Sequence, residues 1–395
     1  MNTKTSPDGN RSPGDNVAWG RFRERMPVTA KWIYLDHAAV APLPGPTAEA
    51  IAAFGQSAAA EGDAVWPQWQ ARYEQVRKTA AGLFGAMPHE LAFVPSTTFG
   101  IGLVAEGFPW KAGDNVVTFE NEFPSNLYPW MNLASRGVET RRVPVVDGRP
   151  DLNRLASACD ERTRIVTVSW IGYSSGWRLD PKELADLAHS AGALLFLDAI
   201  QGLGVFPMDV KEAGVDFFAA DGHKWMMGPE GAGVFYCREE HLDTLRPVMI
   251  GWNSVQGRYD FGGVELKFRR EAARYEGGSP GHLGVHALGA SLDLLAEFGL
   301  SASHSAVADR VVEITGLFAS KLVAGGAEIV SPRHSGHESG ILVFKLPGQS
   351  PEEIRSRCLD AGIVLSCRGG GVRVSPHAYI SEDDVDRLVE VVCSQ

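Results

Sequence analysis

With 395 residues the chain is long enough to bury a sizeable core and to divide into more than one lobe. Its 44% hydrophobic and 22% charged residues are ordinary for a globular protein, and no uninterrupted apolar run approaches membrane-spanning length. The formal net charge of −11 argues against a nucleic-acid partner, because phosphate binding needs a basic footprint.

Residues 1–16, MNTKTSPDGNRSPGDN, are polar and lack the apolar segment of a secretory signal, so a disordered tail is expected. A large domain over 17–265 and a smaller one over 266–395 would follow it. Cys159, Cys237, Cys358, Cys367 and Cys393 are scattered, with no Cys-x-x-Cys pair and no zinc spacing. Free thiols, a cytoplasmic location and no metal are expected.

Trp32 to Leu35 reads as a short strand leading into Asp36-His37-Ala38, after which prolines stop any helix. Helical apolar spacing covers Thr47 to Ala60 and Trp69 to Gly82, with Pro67 between them and Trp66 and Trp69 expected in the core. Leu91 to Val94 is a strand that runs into Pro95-Ser96-Thr97-Thr98 and a helix ending near Gly107. Hydroxyl residues at a helix start are ordinary caps; free N–H groups and the positive dipole end also make that position a ready anion site. Thr97 and Thr98 suit either role. Further strands are read at Asn115 to Phe119, Glu139 to Val145 and Ile165 to Trp170. Pro181 to Ala191 is a helix with Asp180 as its cap and Gly192 as its stop. Alternation of strand and helix from Leu91 to Tyr236 argues for a doubly wound α/β layer. No Gly-x-Gly-x-x-Gly opens a helix after a strand, so a nicotinamide domain is not expected.

The densest chemistry lies between Phe196 and Tyr236. The strand Ala193 to Leu197 ends at Asp198, and the strand Val215 to Ala220 ends just before His223 and Lys224. Ligands of open parallel sheets sit beyond the carboxyl ends of the strands, so an acid and a lysine reach one rim of one sheet. The Gly-Pro-Glu-Gly-Ala-Gly run after them lets the backbone turn tightly. This arrangement suits pyridoxal 5'-phosphate: Lys224 would carry the cofactor as a Schiff base, and Asp198 would keep the pyridine nitrogen protonated.

Beyond this stretch, helices are read at His282 to Phe298, Ala306 to Ala324, Pro351 to Ala361 and Ser381 to Val392. Strands at Gly340 to Leu346 and Val372 to Val374 make this an α+β lobe. His334 and His337 lack a third metal ligand and read as loop residues.

Asp198-Ala199-Ile200-Gln201, His223-Lys224-Trp225 before the Gly/Pro turn, and Ser96-Thr97-Thr98-Phe99-Gly100-Ile101 together resemble the class V aminotransferase family. That family includes cysteine desulfurases and isopenicillin N epimerase-like proteins. The resemblance extends from about Lys31 onward. It implies the PLP-dependent transferase fold type I: a large doubly wound domain with a mostly parallel sheet, plus a smaller α+β C-terminal domain. It further implies that the Thr97/Thr98 turn and His223 hold the cofactor phosphate, that Gln201 donates to the ring oxygen, and that Phe123 stacks on the ring. Arg373 would clamp a substrate carboxylate, with Arg368 a second candidate. A homodimer with shared active sites is implied, in which Asn253 and Ser254 of one subunit reach the cofactor phosphate of the other. Asp36, His37 and Ala38 either line the substrate pocket or form a capping turn.

Four departures from the family pattern stand out. Phe123 replaces the desulfurase His and carries no titratable proton. Trp170 stands where Asn is common and is expected to reshape either the pocket or the contact to the cofactor's ring oxygen. Asp221 stands where a phosphate-binding Ser is common, so it must point away or pair with a cation. The interval from Cys367 to Arg373 has no room for the extended loop that bears the desulfurase nucleophile. The implied activity is chemistry at the Cα of an α-amino acid with Lys224 as base, most simply of aminotransferase type. C–S lyase or desulfurase-like activity and epimerisation share the same start, and a non-catalytic cofactor-binding protein is the reading from another class.

Overall fold

The computed structural model describes residues 13–393. Residues 1–12 of the expected tail lie outside the described residues, but 13–16 are not tail: they open helix α1 (Pro13–Glu24). A short strand β1 (Ile33–Tyr34) follows, then two long helices, α2 (Gly45–Glu61) and α3 (Trp66–Leu83). Pro67 sits in the first turn of α3, where its missing N–H has no intrahelical partner to lose, so it starts the helix rather than separating two. Trp66 and Trp69 are half-buried and not in the core; they meet Phe54, Tyr259 and His282 in an aromatic cluster near the surface.

The large lobe is built on a seven-stranded sheet. Its strands are β2 (Leu91–Val94), β3 (Asn115–Phe119), β4 (Glu139–Val143), β5 (Thr163–Ser169), β6 (Leu194–Asp198), β7 (Phe217–Asp221) and β8 (Gly233–Cys237), in the order β2-β8-β7-β6-β5-β3-β4. Pairing through β4-β3-β5-β6-β7 is parallel, and β8 runs antiparallel to both its neighbours. The connection 222–232 is short and carries no helix, and a parallel return needs a longer crossover. The inner strands β3, β7 and β8 are buried at every residue, as a sheet covered on both faces requires. The covering helices are α4 (Thr97–Gly107), α5 (Tyr128–Met131), α6 (Leu152–Ser157), α7 (Pro181–Ser190) and α8 (Val210–Ala213). Asp180 caps α7 by accepting from Lys182 N, and Gly192 follows its end at φ 72°.

Helix α9 (His282–Glu297) packs across α2 and α3. The C-terminal lobe contains α10 (Ala306–Ala324), β9 (Glu328–Ile329), β10 (Leu342–Lys345), α11 (Pro351–Asp360), β11 (Ile363–Val364), β12 (Ser366–Arg368), β13 (Gly371–Val374) and α12 (Glu382–Cys393). Its antiparallel sheet has the order β12-β13-β10-β9. Strand β11 pairs instead with β1, in parallel, and Asp36 bridges Ser375, so the segment after α1 is sewn to the C-terminal lobe. Among the described residues no helix is long and apolar enough to cross a membrane.

Candidate active site

The carboxyl ends of β3, β5, β6 and β7 open onto a cavity of about 280 Å³. Its lining includes Thr97, Thr98, Phe123, Asp198, Gln201, His223, Lys224 and Arg373. All of these were named from sequence; Asn253 and Ser254 were too, but they do not line the cavity of their own chain. They form a buried turn in which Asn253 Oδ1 accepts from Arg258 and Arg269, while its Nδ2 has no partner.

Asp198 ends β6 and is 3% exposed. The only hydrogen bond to its carboxylate among the described residues is from Ile200 N, at 3.1 Å. Burial pushes its pKa up to about 6, against the downward pull of the Lys224 charge. A carboxylate with so little compensation favours a cationic neighbour in the cavity. Lys224 lies in the turn after β7, where its carbonyl accepts from Met227 N at 3.0 Å and Met227 takes φ 53°. Burial brings the Lys224 pKa down to about 8, with Asp198 opposing. Its ammonium makes no hydrogen bond among the described residues and stands 5.7 Å from the centre of the Phe123 ring.

Asp221 is paired, as its position required. One oxygen lies 2.9 Å from His223 Nδ1, and the other accepts from Gly222 N at 2.7 Å. Thr97 Oγ1 accepts from Asp221 N, leaving its own proton free to donate. Ser96 caps α4 by accepting from Phe99 N, which leaves the N–H groups of Thr97 and Thr98 for an anion. Gln201 is largely committed: Oε1 accepts from Trp225 Nε1 at 2.8 Å and Nε2 donates to Ala38 O at 3.1 Å, which leaves one amide proton. Arg373 is 2% exposed and donates to Asp36 Oδ1 and to Tyr173 O, each at 3.0 Å. Arg368 also lines the cavity. Within the 36–38 segment only Ala38 lines the cavity; the segment does not cap α2, whose N-cap is Pro44, and His37 is buried between Ser375 O and the Tyr379 hydroxyl.

Trp170 does not line the cavity. It is buried outside the wall, against Gly202, where a Cβ would come within 2.2 Å of the indole. Cys367 is also turned away. Its strand neighbours Ser366 and Arg368 face Asp36 and the cavity, so alternation puts the thiol on the other side, and burial with nearby Glu352 raises its pKa. No residue lining the cavity is a cysteine.

Sequence reasoning missed Glu122, Ser169 and Tyr173. Ser169 ends β5 in register with Asp198, and that shared strand-end position was the available signal. Glu122 is 8% exposed and takes two hydrogen bonds from Ser169, through N and Oγ. Elsewhere, His337 stacks on Trp177 with ring centres 4.2 Å apart. Asp216, Glu240 and His241 gather their polar atoms at the opposite rim, where Arg238 already lies 3.4 Å from Asp216.

The donor set fits pyridoxal phosphate: an amine, an acid short of cations, a flat ring, and a helix start with two threonines all face one cavity. A family model described as aminotransferase class-V matches residues 33–388. A probable cysteine desulfurase of Methanothermobacter thermautotrophicus is 30% identical over 94% of this chain and 96% of that protein. An isopenicillin N epimerase of Amycolatopsis lactamdurans is 27% identical over 95% and 98%. The apo structure of a cysteine desulfurase from Thermococcus onnurineus superposes with a TM-score of 0.84 at 27% identity, covering 97% of this chain and 98% of that one. Fold, site and matched length agree, and the chain belongs to the class-V aminotransferase family.

Proposed function

We propose that this chain is a pyridoxal-phosphate-dependent enzyme that acts at the Cα of an α-amino acid, with aminotransferase-type chemistry. The observation that carries the reading is the placement of Asp198, Lys224 and Arg373 around one cavity. When bound, the cofactor supplies an electron-poor ring that stabilises negative charge at the substrate carbon. Lys224 would hold it covalently, and its amine is the base within reach of the Cα proton. Asp198 would keep the ring nitrogen cationic, and Phe123 offers a flat apolar face. Thr97, Thr98 and His223 would take the phosphate. The remaining Gln201 proton is available to a ring oxygen. Arg373, oriented by Asp36, suits a bidentate carboxylate contact. In a homodimer, Asn253 and Ser254 would complete the partner's phosphate site; the segment just after them exposes Phe261, Val264 and Leu266, which suits burial against a second copy.

Proton availability at Lys224 sets a pH dependence. Its amine is protonated below about pH 8 and neutral above it. Cofactor uptake by the cofactor-free protein, followed by visible absorbance, should therefore rise through a midpoint near pH 8. Asp198→Asn should move that midpoint down, because the Asp198 charge holds the ammonium form. An unmoved midpoint would show that the two groups do not interact.

A second reading is C–S bond cleavage, favoured by the desulfurase names of the 30% relatives. Mass spectrometry of products from a panel of amino acids, with and without a keto acid, separates the two. Amino-group transfer dependent on the keto acid supports the first reading; sulfide or persulfide from cysteine or cystine supports the second. Cys367→Ala should leave either activity within about twofold, because the thiol faces away from the cavity. Complete loss in that variant would revive a sulfur relay through Cys367.

A further inference from the structure

Phe123 leaves the ring side of the cavity with no titratable proton, yet a buried acid sits one residue earlier in the chain. Glu122 lies behind the wall formed by Ser169 and Tyr173, and its own side borders a second small cavity of about 20 Å³. That volume holds a single water. Asn121, Ser175 and Trp177 also line it, and the Trp177 indole N–H has no partner among the described residues. Asn121 is exposed, so this cavity sits close to solvent. Ser169 and Tyr173 line both cavities, and only the Ser169 hydroxyl bonds to Glu122.

The orientation of the network is determined. Asn126 Oδ1 accepts from Trp130 Nε1 at 3.1 Å and from Thr167 Oγ1 at 2.8 Å. Its amide nitrogen must then face Glu122, donating to Oε2 at 3.1 Å. Ser169 N donates to Oε1 at 2.8 Å, so the Ser169 hydroxyl meets Oε2. The other charged group acting on Glu122 is Asp198 on β6; Asn126 and Ser169 are neutral. Burial is the larger influence and brings the carboxyl up to about 7.

We propose that Glu122 and Ser169 form a proton relay between the small outer cavity and the active-site cavity, replacing a titratable group at position 123. With Glu122 ionised, the Ser169 hydroxyl donates to Oε2 and presents only lone pairs to the site. With Glu122 protonated, Oε2–H donates to Ser169 Oγ while Oγ–H passes to a base in the site. One proton leaves Glu122, one reaches the base, and Ser169 is unchanged. Solvent water then returns a proton to Glu122. Glu122 acts through Ser169 and is a positioning residue in this scheme. The proposal rests on the reading of the site as one that works on an amino acid.

Two measurements test it. In the cofactor-free protein, infrared difference spectra should show a carboxyl C=O band that titrates near pH 7 and is absent from Glu122→Gln. Ser169→Ala removes a bond to the ionised form and should raise that midpoint by about one pH unit. In the loaded enzyme, the pH profile of kcat/KM should show a limb near pH 7, with about a hundredfold lower rate and no such limb in Glu122→Gln and Ser169→Ala. Ser169→Thr, which keeps a hydroxyl, should restore the limb. An unmoved band in Ser169→Ala, or a limb that persists in Glu122→Gln, overturns the relay. Wild-type protein inert toward every amino acid would overturn the functional reading instead, and the infrared arm would still decide whether the two groups are coupled.

Discussion

Lys224→Ala is expected to lower turnover by about four orders of magnitude, with no comparable loss of fold. The substitution removes the residue proposed as covalent anchor and the only amine among the described residues that line the cavity. Arg373 and Arg368 are the other cations there, and a guanidinium does not deprotonate near neutrality. His223, the other basic side chain in the lining, lies against Asp221 and is assigned to the cofactor phosphate rather than to the Cα proton. Stability should change little or rise, because burial already disfavours the lysine's charged form. The measurements are turnover, melting temperature and borohydride reduction followed by peptide mapping. Wild type should be labelled at Lys224 and the variant nowhere. A reducible adduct at another lysine in the variant would refute the assignment.

Asp198→Asn should reduce kcat by about a thousandfold and change KM much less. The argument rests on isolation. The Asp198 carboxylate has one hydrogen bond among the described residues, is buried at the rim of β6, and sits in a site where fixed charges act strongly. Asparagine keeps the shape and can still accept from Ile200 N, so the loss reports charge rather than packing. Equal losses in kcat and in cofactor retention would mean that Asp198 only anchors the ring. A variant within threefold of wild type would remove the acid from the mechanism.

The positions of Asp198 and Lys224 were legible because they follow from strand ends, and strands buried on both faces read as plain apolar runs. Thr97, Gln201 and Arg373 were assigned to the site through the family resemblance, and they line the same cavity. What sequence hid was the direction of side chains. Trp170 follows Ser169, but only Ser169 faces the cavity, and that choice depends on pleat register. Asp221 looked hostile to a phosphate until its close approach to His223 was visible, a matter of rotamers two residues apart. The Glu122 network joins residues from β3's end and β5, 47 positions apart, and no local spacing announces it. Trp66 and Trp69 misled for another reason: large aromatics pack well at half-buried positions and do not require the core.

The pairing of β1 with β11, and of Asp36 with Arg373, has a temporal consequence. The seven-stranded sheet is complete once Cys237 has been synthesised, yet one wall of the cavity awaits strands that emerge more than a hundred residues later. On the ribosome, a nascent chain would display Lys224 and Asp198 to solvent before Arg373 exists to close over them. Completion of the candidate site thus lags behind completion of the sheet, and a chain interrupted before residue 373 would lack Arg373 and the strand that carries it.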